Sequence, residues 1–173
     1  MIVDAQGAQD RIRVATALLQ AAADHGVTLA IAESLTGGQV SSSLVEVPGA
    51  SRVLVGTVVA YATRIKAQLL GVDAAHLERT GPVDREVALQ MARGVRRLLG
   101  ADLGLATTGV AGPGPADGHP AGTVHVAVAA PWGQRHRELH LSGDRPQIRR
   151  ATVMEVCELA IGFLRKDECG PQP

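Results

Sequence analysis

The chain predicts a single three-layer α/β/α domain with a mixed β-sheet, and three observations carry that prediction. Short, nearly continuous apolar runs at 28–32, 53–61 and 103–107 read as strands buried in a parallel sheet, and helical periodicity separates them. Two alternating runs, 123–130 and 135–141, flank Pro131-Trp132-Gly133 and read as a β-hairpin. The composition of the 173 residues, 46% hydrophobic and 20% charged, is that of one ordinary domain with a real core. No internal repeat or linker divides the chain, so one domain over 1–173 is expected, with its core at about 10–164 and a polar tail at 165–173.

Taken in order, Ile12, Ala15, Leu18, Leu19, Ala22 and Ala23 form one helical stripe that Gly26 ends. The run 28–32 (TLAIA) is a buried strand. It leads into Glu33-Ser34-Leu35-Thr36-Gly37-Gly38, after which Val40, Leu44, Val45 and Val47 mark a helix stopped by Pro48-Gly49. The β-branched run 53–61 (VLVGTVVAY) reads as a strand covered on both faces. A short helix from Thr63 carries Ile65, Leu69 and Leu70 to Gly71. From Asp84 to Leu99, Val87, Met91, Val95, Leu98 and Leu99 recur with helical spacing. Strand 103–107 precedes a segment, 109–122, too rich in Gly and Pro for regular structure. After the hairpin, Asp144 is the expected N-cap of a last helix over about 145–164.

Charge and aromatic content exclude several function classes. Lys plus Arg and Asp plus Glu are both 17, so there is no polybasic footprint for nucleic acid or anionic lipid. Trp132, Tyr61 and Phe163 are the only aromatics of their kind, too few for base-stacking platforms. No apolar run approaches the roughly 20 residues of a membrane span. Residues 1–13 show no apolar signal core, and Cys157 and Cys169 read as free thiols, so a cytoplasmic location is expected. The basic residues are skewed as well: Lys66 and Lys166 are the only lysines, and the other fifteen are arginines.

Four clusters fall at strand ends or helix starts, where open α/β sheets build sites. Ser34 leaves a buried strand just before a helix, beside unpaired N–H groups and the positive end of the helix dipole. That placement suits a nucleophile, and it equally suits a plain N-cap formed by Ser34 or Thr36. Tyr61 and Lys66 stand at the next strand end and helix start. A desolvated lysine can take a serine's proton and a tyrosine can relay it, whereas a solvated lysine would do neither. The Gly109–Gly122 loop, after Thr107 and Thr108, offers backbone donors to an anion or is a long surface connection. Arg145, in Gly143-Asp144-Arg145, places a guanidinium at the opening of the last helix, for a phosphate or for a surface ion pair.

Other site types lack their spacing. There is no Ser-x-x-Lys, no Gly-x-Gly-x-x-Gly after the first strand and no phosphate-binding Gly-x-x-x-x-Gly-Lys-Ser/Thr loop, and Tyr61 and Lys66 are five residues apart rather than the four of short-chain dehydrogenases. His136, Glu138 and His140 share one strand face and His125 lies on the hairpin partner. With no cysteine or second carboxylate nearby, a metal is not expected there.

In this order the clusters resemble the CinA C-terminal domain family. The residues that carry the likeness are Ala32-Glu33-Ser34-Leu35-Thr36-Gly37-Gly38, Tyr61-Ala62-Thr63-Arg64-Ile65-Lys66, Thr108-Gly109-Val110-Ala111-Gly112-Pro113-Gly114, Gly122-Thr123-Val124 and Gly143-Asp144-Arg145-Pro146-Gln147-Ile148-Arg149. The likeness runs from about Asp10 to Leu164. It implies hydrolysis of the carboxamide of nicotinamide mononucleotide to nicotinic acid mononucleotide and ammonia, in pyridine nucleotide salvage. It further implies Ser34 as nucleophile, Tyr61 and Lys66 as its activating partners, and substrate contacts at Thr36, Gly37, Gly38, Thr108, Gly112, Pro113, Gly114 and Arg145. No metal or organic cofactor is implied, and a homo-oligomer is.

The chain departs from the family pattern at Thr63, where Asn is usual, and at His119-Pro120-Ala121-Gly122, where a Lys-Pro-Val-Gly run is usual. Pro82 to Asp84 replace small residues common after Gly81. The second departure removes a cation beside the presumed phosphate site. The pyrophosphatase activity tied to the family's frequent N-terminal fusion is not carried over. The leading expectation is therefore a serine amidohydrolase whose oxyanion is held by N–H groups around Thr36 to Gly38. Its alternatives are a nucleotide- or partner-binding module without turnover and an amidase for another small amide.

Overall fold

A computed structural model describes residues 5–166. The elements run α1 (Ala5–Asp24), β1 (Leu29–Glu33), α2 (Gln39–Val45), a 3₁₀ turn (Ala50–Arg52), β2 (Leu54–Val59), α3 (Thr63–Leu70), α4 (Ala74–Thr80), α5 (Arg85–Leu99), β3 (Leu103–Gly109), β4 (Thr123–Ala130), β5 (Gly133–His140) and α6 (Arg145–Lys166). The sheet order is β2-β1-β3-β4-β5. β2, β1 and β3 are parallel, and β4 and β5 continue antiparallel, which makes the sheet mixed as expected.

Alternation along the strands divides the core into two layers. Leu29, Ile31, Leu103, Leu105, Val124, Val126 and Val128 pack with α1, α2 and α6. Ala30, Ala32, Ala106, Ala127 and Ala129 face Val87, Met91 and Val95 of α5 and Leu70 of α3. The small alanines let α5 lie close. Gly94 closes the fit between helices: a Cβ there would stand 1.9 Å from the Leu70 carbonyl oxygen, so α3 and α5 touch backbone to backbone.

The cap expected from sequence at Asp144 forms, and Asp84 caps α5 as well. The Asp84 carboxylate accepts from Glu86 N–H at 2.8 Å and Val87 N–H at 3.1 Å. Asp144 accepts from Gln147 N–H at 2.8 Å, while Gln147 Oε1 accepts the Asp144 N–H at 2.7 Å, a reciprocal capping box.

Three expectations are corrected. β2 is the edge of the sheet rather than a doubly covered strand, with Val55 and Val59 exposed. Helix α4 was not expected, because Leu77 is its only buried residue and leaves no apolar stripe to read; Asp73 caps it through His76 N–H at 2.9 Å. Helix α6 continues to Lys166, past the expected start of the tail, whose residues from 167 on, Cys169 among them, lie outside the described residues.

The strand order reverses beside β1, because β2 lies on one side of it and β3 on the other. Connections leaving the C-terminal ends of β1 and β3 therefore diverge, and a cleft opens between them.

Candidate active site

The cleft, of about 230 Å³, is lined at its base by Ser34, Lys66 and Thr108 and along its walls by the loop after β3, with Tyr61 and Arg145 at its edge. Ser34 follows β1 directly, and its N–H donates to the Thr107 carbonyl at 3.0 Å, as a continuation of the parallel ladder. Lys66 sits in the first turn of α3 and is 1% exposed, so the solvated alternative does not hold. Its Nζ donates to the Ala60 carbonyl at 2.8 Å and lies 3.0 Å from Ser34 Oγ. Burial pushes the Lys66 ammonium down from 10.5 to about 8, against the opposing pull of the Asp117 carboxylate. At pH 7 about a tenth of such amines is unprotonated, as a base for Ser34 must be.

The turn that carries Ser34 is built by residues to which sequence reading gave no role. Glu33, fully buried, accepts four hydrogen bonds: from Gly38 N–H at 2.9 Å, Val40 N–H at 3.1 Å, and Ser41 N–H and Oγ at 2.9 and 3.0 Å. A strand residue thus caps α2 in place of Ser34 or Thr36, and the Ser34 hydroxyl is left for the cleft. From α6, Arg149 Nε donates to the Leu35 carbonyl at 3.0 Å and its Nη2 to the Thr36 carbonyl at 2.6 Å.

That construction moves part of the expected substrate site. Thr36 is buried with its Oγ1 paired to Thr107 Oγ1 at 2.8 Å. The Gly37 N–H donates to the Ser34 carbonyl at 3.1 Å and the Gly38 N–H is spent on Glu33. None of the three lines the cleft. The expectation that the Gly37 and Gly38 N–H groups hold an oxyanion is therefore corrected. The two N–H groups nearest the nucleophile in sequence, on Leu35 and Thr36, make no hydrogen bond among the described residues. Because N–H and C=O point in opposite directions across a trans peptide, the Arg149 grip on the Leu35 carbonyl also fixes the direction of the Thr36 N–H.

The remaining expected residues do meet in the cleft. Thr108 lines it and donates through Oγ1 to the Pro82 carbonyl at 2.6 Å. Gly112, Pro113 and Gly114 form one wall, with a cis Gly112-Pro113 bond. Arg145 straps the cleft: its Nη1 donates to the Gly112 carbonyl at 2.7 Å and its Nη2 to Tyr61 Oη at 3.0 Å. Tyr61 is 61% exposed and hydrogen-bonds to Arg145, with no hydrogen bond to Ser34 or Lys66, so the relay expected of it is not formed.

Within the loop after β3, regular structure appears that sequence reading missed. Ala116 and His119 exchange backbone hydrogen bonds at 3.0 and 2.9 Å around Asp117-Gly118, whose φ values are +50° and +79°. This is a two-residue hairpin turn with both central residues left-handed, and the Asp-Gly pair was its visible signal.

The histidine-bearing face lies elsewhere, on β4 and β5. His125 Nδ1 and His136 Nε2 are 2.9 Å apart, and His140 Nε2 is 3.3 Å from Glu138. Burial, the larger cause for each, holds both hydrogen-bonded rings below the ordinary histidine value. Among the described residues no group of three or more His, Cys, Asp or Glu converges to hold a metal, and no helix is long and apolar enough to cross a membrane.

Residues 11–164 match the CinA C-terminal domain. The chain is 49% identical over 135 residues to a CinA-like protein of Frankia casuarinae, covering 78% of this chain and 31% of that protein. It is 51% identical over 133 residues to a CinA-like protein of Synechococcus, covering 76% and 32%. The chain thus spans about a third of the length of these relatives. Among solved structures it resembles the competence/damage inducible protein CihA from Agrobacterium tumefaciens, with a TM-score of 0.85 and 35% identity over 90% of this chain and 96% of that one. A CinA superfamily protein from Klebsiella pneumoniae superposes with a TM-score of 0.87 and 27% identity, covering 90% and 98%.

Proposed function

We propose, from the premise that this chain belongs to the CinA C-terminal domain family, that it is a serine amidohydrolase acting on the carboxamide of nicotinamide mononucleotide. The observation that carries the reading is the buried Lys66 amine 3.0 Å from Ser34 Oγ at the base of an open cleft. A lysine so placed, with its ammonium pushed down to about 8, is costly to the fold and useful as a base.

In the proposed reaction, unprotonated Lys66 takes the Ser34 proton as Oγ attacks the carboxamide carbon. Negative charge gathers on the former carbonyl oxygen, toward the N–H of Leu35, which lines the cleft and makes no hydrogen bond among the described residues. Lys66 returns the proton to the amide nitrogen, the C–N bond breaks and ammonia leaves an acyl-serine. Water then attacks that ester, again giving its proton to Lys66. Ser34 departs with a proton, and the nucleotide leaves as a carboxylic acid. Tyr61, tied to Arg145, closes the cleft edge in this scheme and moves no proton. The Arg145 guanidinium at the mouth suits the phosphate, since two of its donors already fix its direction.

The test is ammonia release from nicotinamide mononucleotide, nicotinamide riboside and nicotinamide, with circular dichroism as a control for folding. Turnover of the mononucleotide, lost in Ser34→Ala and Lys66→Met, is expected. Undiminished turnover in both variants overturns the assignment. Binding of the mononucleotide by the wild-type protein with no ammonia released establishes the binding-module alternative instead.

A further inference from the structure

Three charged side chains line the cleft: Lys66, Arg145 and Asp117. Lys66 must be neutral to act as a base, so in the reactive state the cleft carries one cation and one anion. Arg145 is strapped to Gly112 and Tyr61 at the mouth. Asp117 makes no salt bridge or side-chain hydrogen bond among the described residues, yet it is the charged group whose field reaches Lys66. It lines the same cleft as Ser34 and Lys66. It is also held there. Asp117 is the one described non-glycine residue with a left-handed backbone, pinned by the Ala116 and His119 bridge. Nothing in the packing of the fold needs a carboxylate at this exposed turn, because Asn-Gly serves a turn of this type equally well.

We propose that Asp117 reads the positive charge of the substrate ring, so that the cleft selects N-alkylated, cationic pyridine carboxamides over their neutral counterparts. The inference rests on the amidohydrolase reading above. A substrate with a cationic ring and an anionic phosphate is a dipole, and a cleft lined by an unpaired carboxylate and by a guanidinium offers an opposite charge to each. Asp117 also offsets the repulsion between a cationic ring and Lys66 once that amine has taken the serine proton. Being charge-based, the effect is one of specificity, and it acts on the ring and not on the phosphate.

The experiment compares wild type with Asp117→Asn, which keeps the turn, on nicotinamide mononucleotide and its 1,4-dihydro form. The two carry the same amide, ribose and phosphate, and differ in ring charge. Rates are read on the plateau above pH 9, where Lys66 is largely unprotonated in both proteins. The expected result is a fall of about tenfold in kcat/KM for the cationic substrate, carried mostly by KM, with the dihydro substrate changed less than twofold. An equal change for both substrates overturns the proposal, because it means that Asp117 acts only through Lys66 or through the loop. No change for either overturns it as well. Calorimetry with 1-methylnicotinamide and nicotinamide separates this from failure of the parent reading: wild type that turns over neither nucleotide, but prefers the methylated cation in a way that Asp117→Asn abolishes, keeps the charge-reading role and removes the hydrolase.

Discussion

Replacing Lys66 by Met should abolish turnover and at the same time stabilise the protein at neutral pH. In the unfolded chain Lys66 binds its proton up to about 10.5, and in the folded chain only up to about 8. Between these values the unfolded state holds more protons, so folding gains stability as pH rises through the window, and the full penalty is present below it. Two and a half units correspond to about 3 kcal/mol. Met, of similar length, removes that penalty. It also leaves the Ala60 carbonyl and Ser34 Oγ without Nζ, which costs about 1 kcal/mol each. The net gain at pH 7 is about 1 kcal/mol, and it turns into a loss near pH 10. The quantity to measure is the difference between variant and wild type in urea unfolding at pH 7, 8, 9 and 10, because other titrating groups cancel in it. It should move by about 2–3 kcal/mol in favour of wild type across that range. A difference that stays flat with pH refutes the burial of a charged lysine, and with it the origin of the base.

Two further outcomes follow from the supports of the site. Arg149→Met releases the Leu35 and Thr36 carbonyls, so kcat should fall by about tenfold to a hundredfold while KM moves little, the mark of lost oxyanion alignment; a loss confined to KM counts against that role. Gly94→Ala sets a Cβ 1.9 Å from the Leu70 carbonyl and pushes α3 off α5, which should cost about 1–3 kcal/mol in chemical unfolding and lower kcat, since Lys66 rides on α3; unchanged stability together with unchanged rate would show that α3 does not hold the lysine in place.

The parts of the molecule legible in the sequence are those whose cause is local. Apolar runs mark the buried strands, period marks α5, and Asp144 marks the start of α6 because a cap acts within three residues. Ser34 and Lys66 were visible as reactive types at element ends. What stayed hidden depends on contacts distant in sequence or on competition between neighbours. Whether a valine-rich run is central or an edge depends on what pairs beside it, so β2 was misjudged. Whether Ser34 caps α2 depends on whether another oxygen takes the N–H groups first, and Glu33 does so by folding back from the strand before them. Arg149 reaches the nucleophile turn across 113 and 114 positions of chain, and no local pattern foretells that. Asp117-Gly118 was legible in principle, but the surrounding Gly and Pro masked a turn signal that needs only two residues.

The contrast between the two buried charged residues tells structure from chemistry. Glu33 and Lys66 are both essentially inaccessible, at 0% and 1% exposure. Glu33 receives four hydrogen bonds, from three backbone N–H groups and one hydroxyl, so its charge is spread over donors that the start of α2 must satisfy anyway. Removing it would orphan those donors, and its role is architectural. Lys66 has three N–H groups when charged and meets two acceptors, with no carboxylate in contact. A fold selected for stability alone would use a methionine or leucine there. An under-satisfied ammonium persists where its readiness to lose the proton is useful, and the one titratable hydrogen it can trade with is that of Ser34. Glu33 and Lys66 therefore form a single device: the carboxylate takes the helix start away from Ser34 as a capping task, and the lysine takes up the hydroxyl so freed.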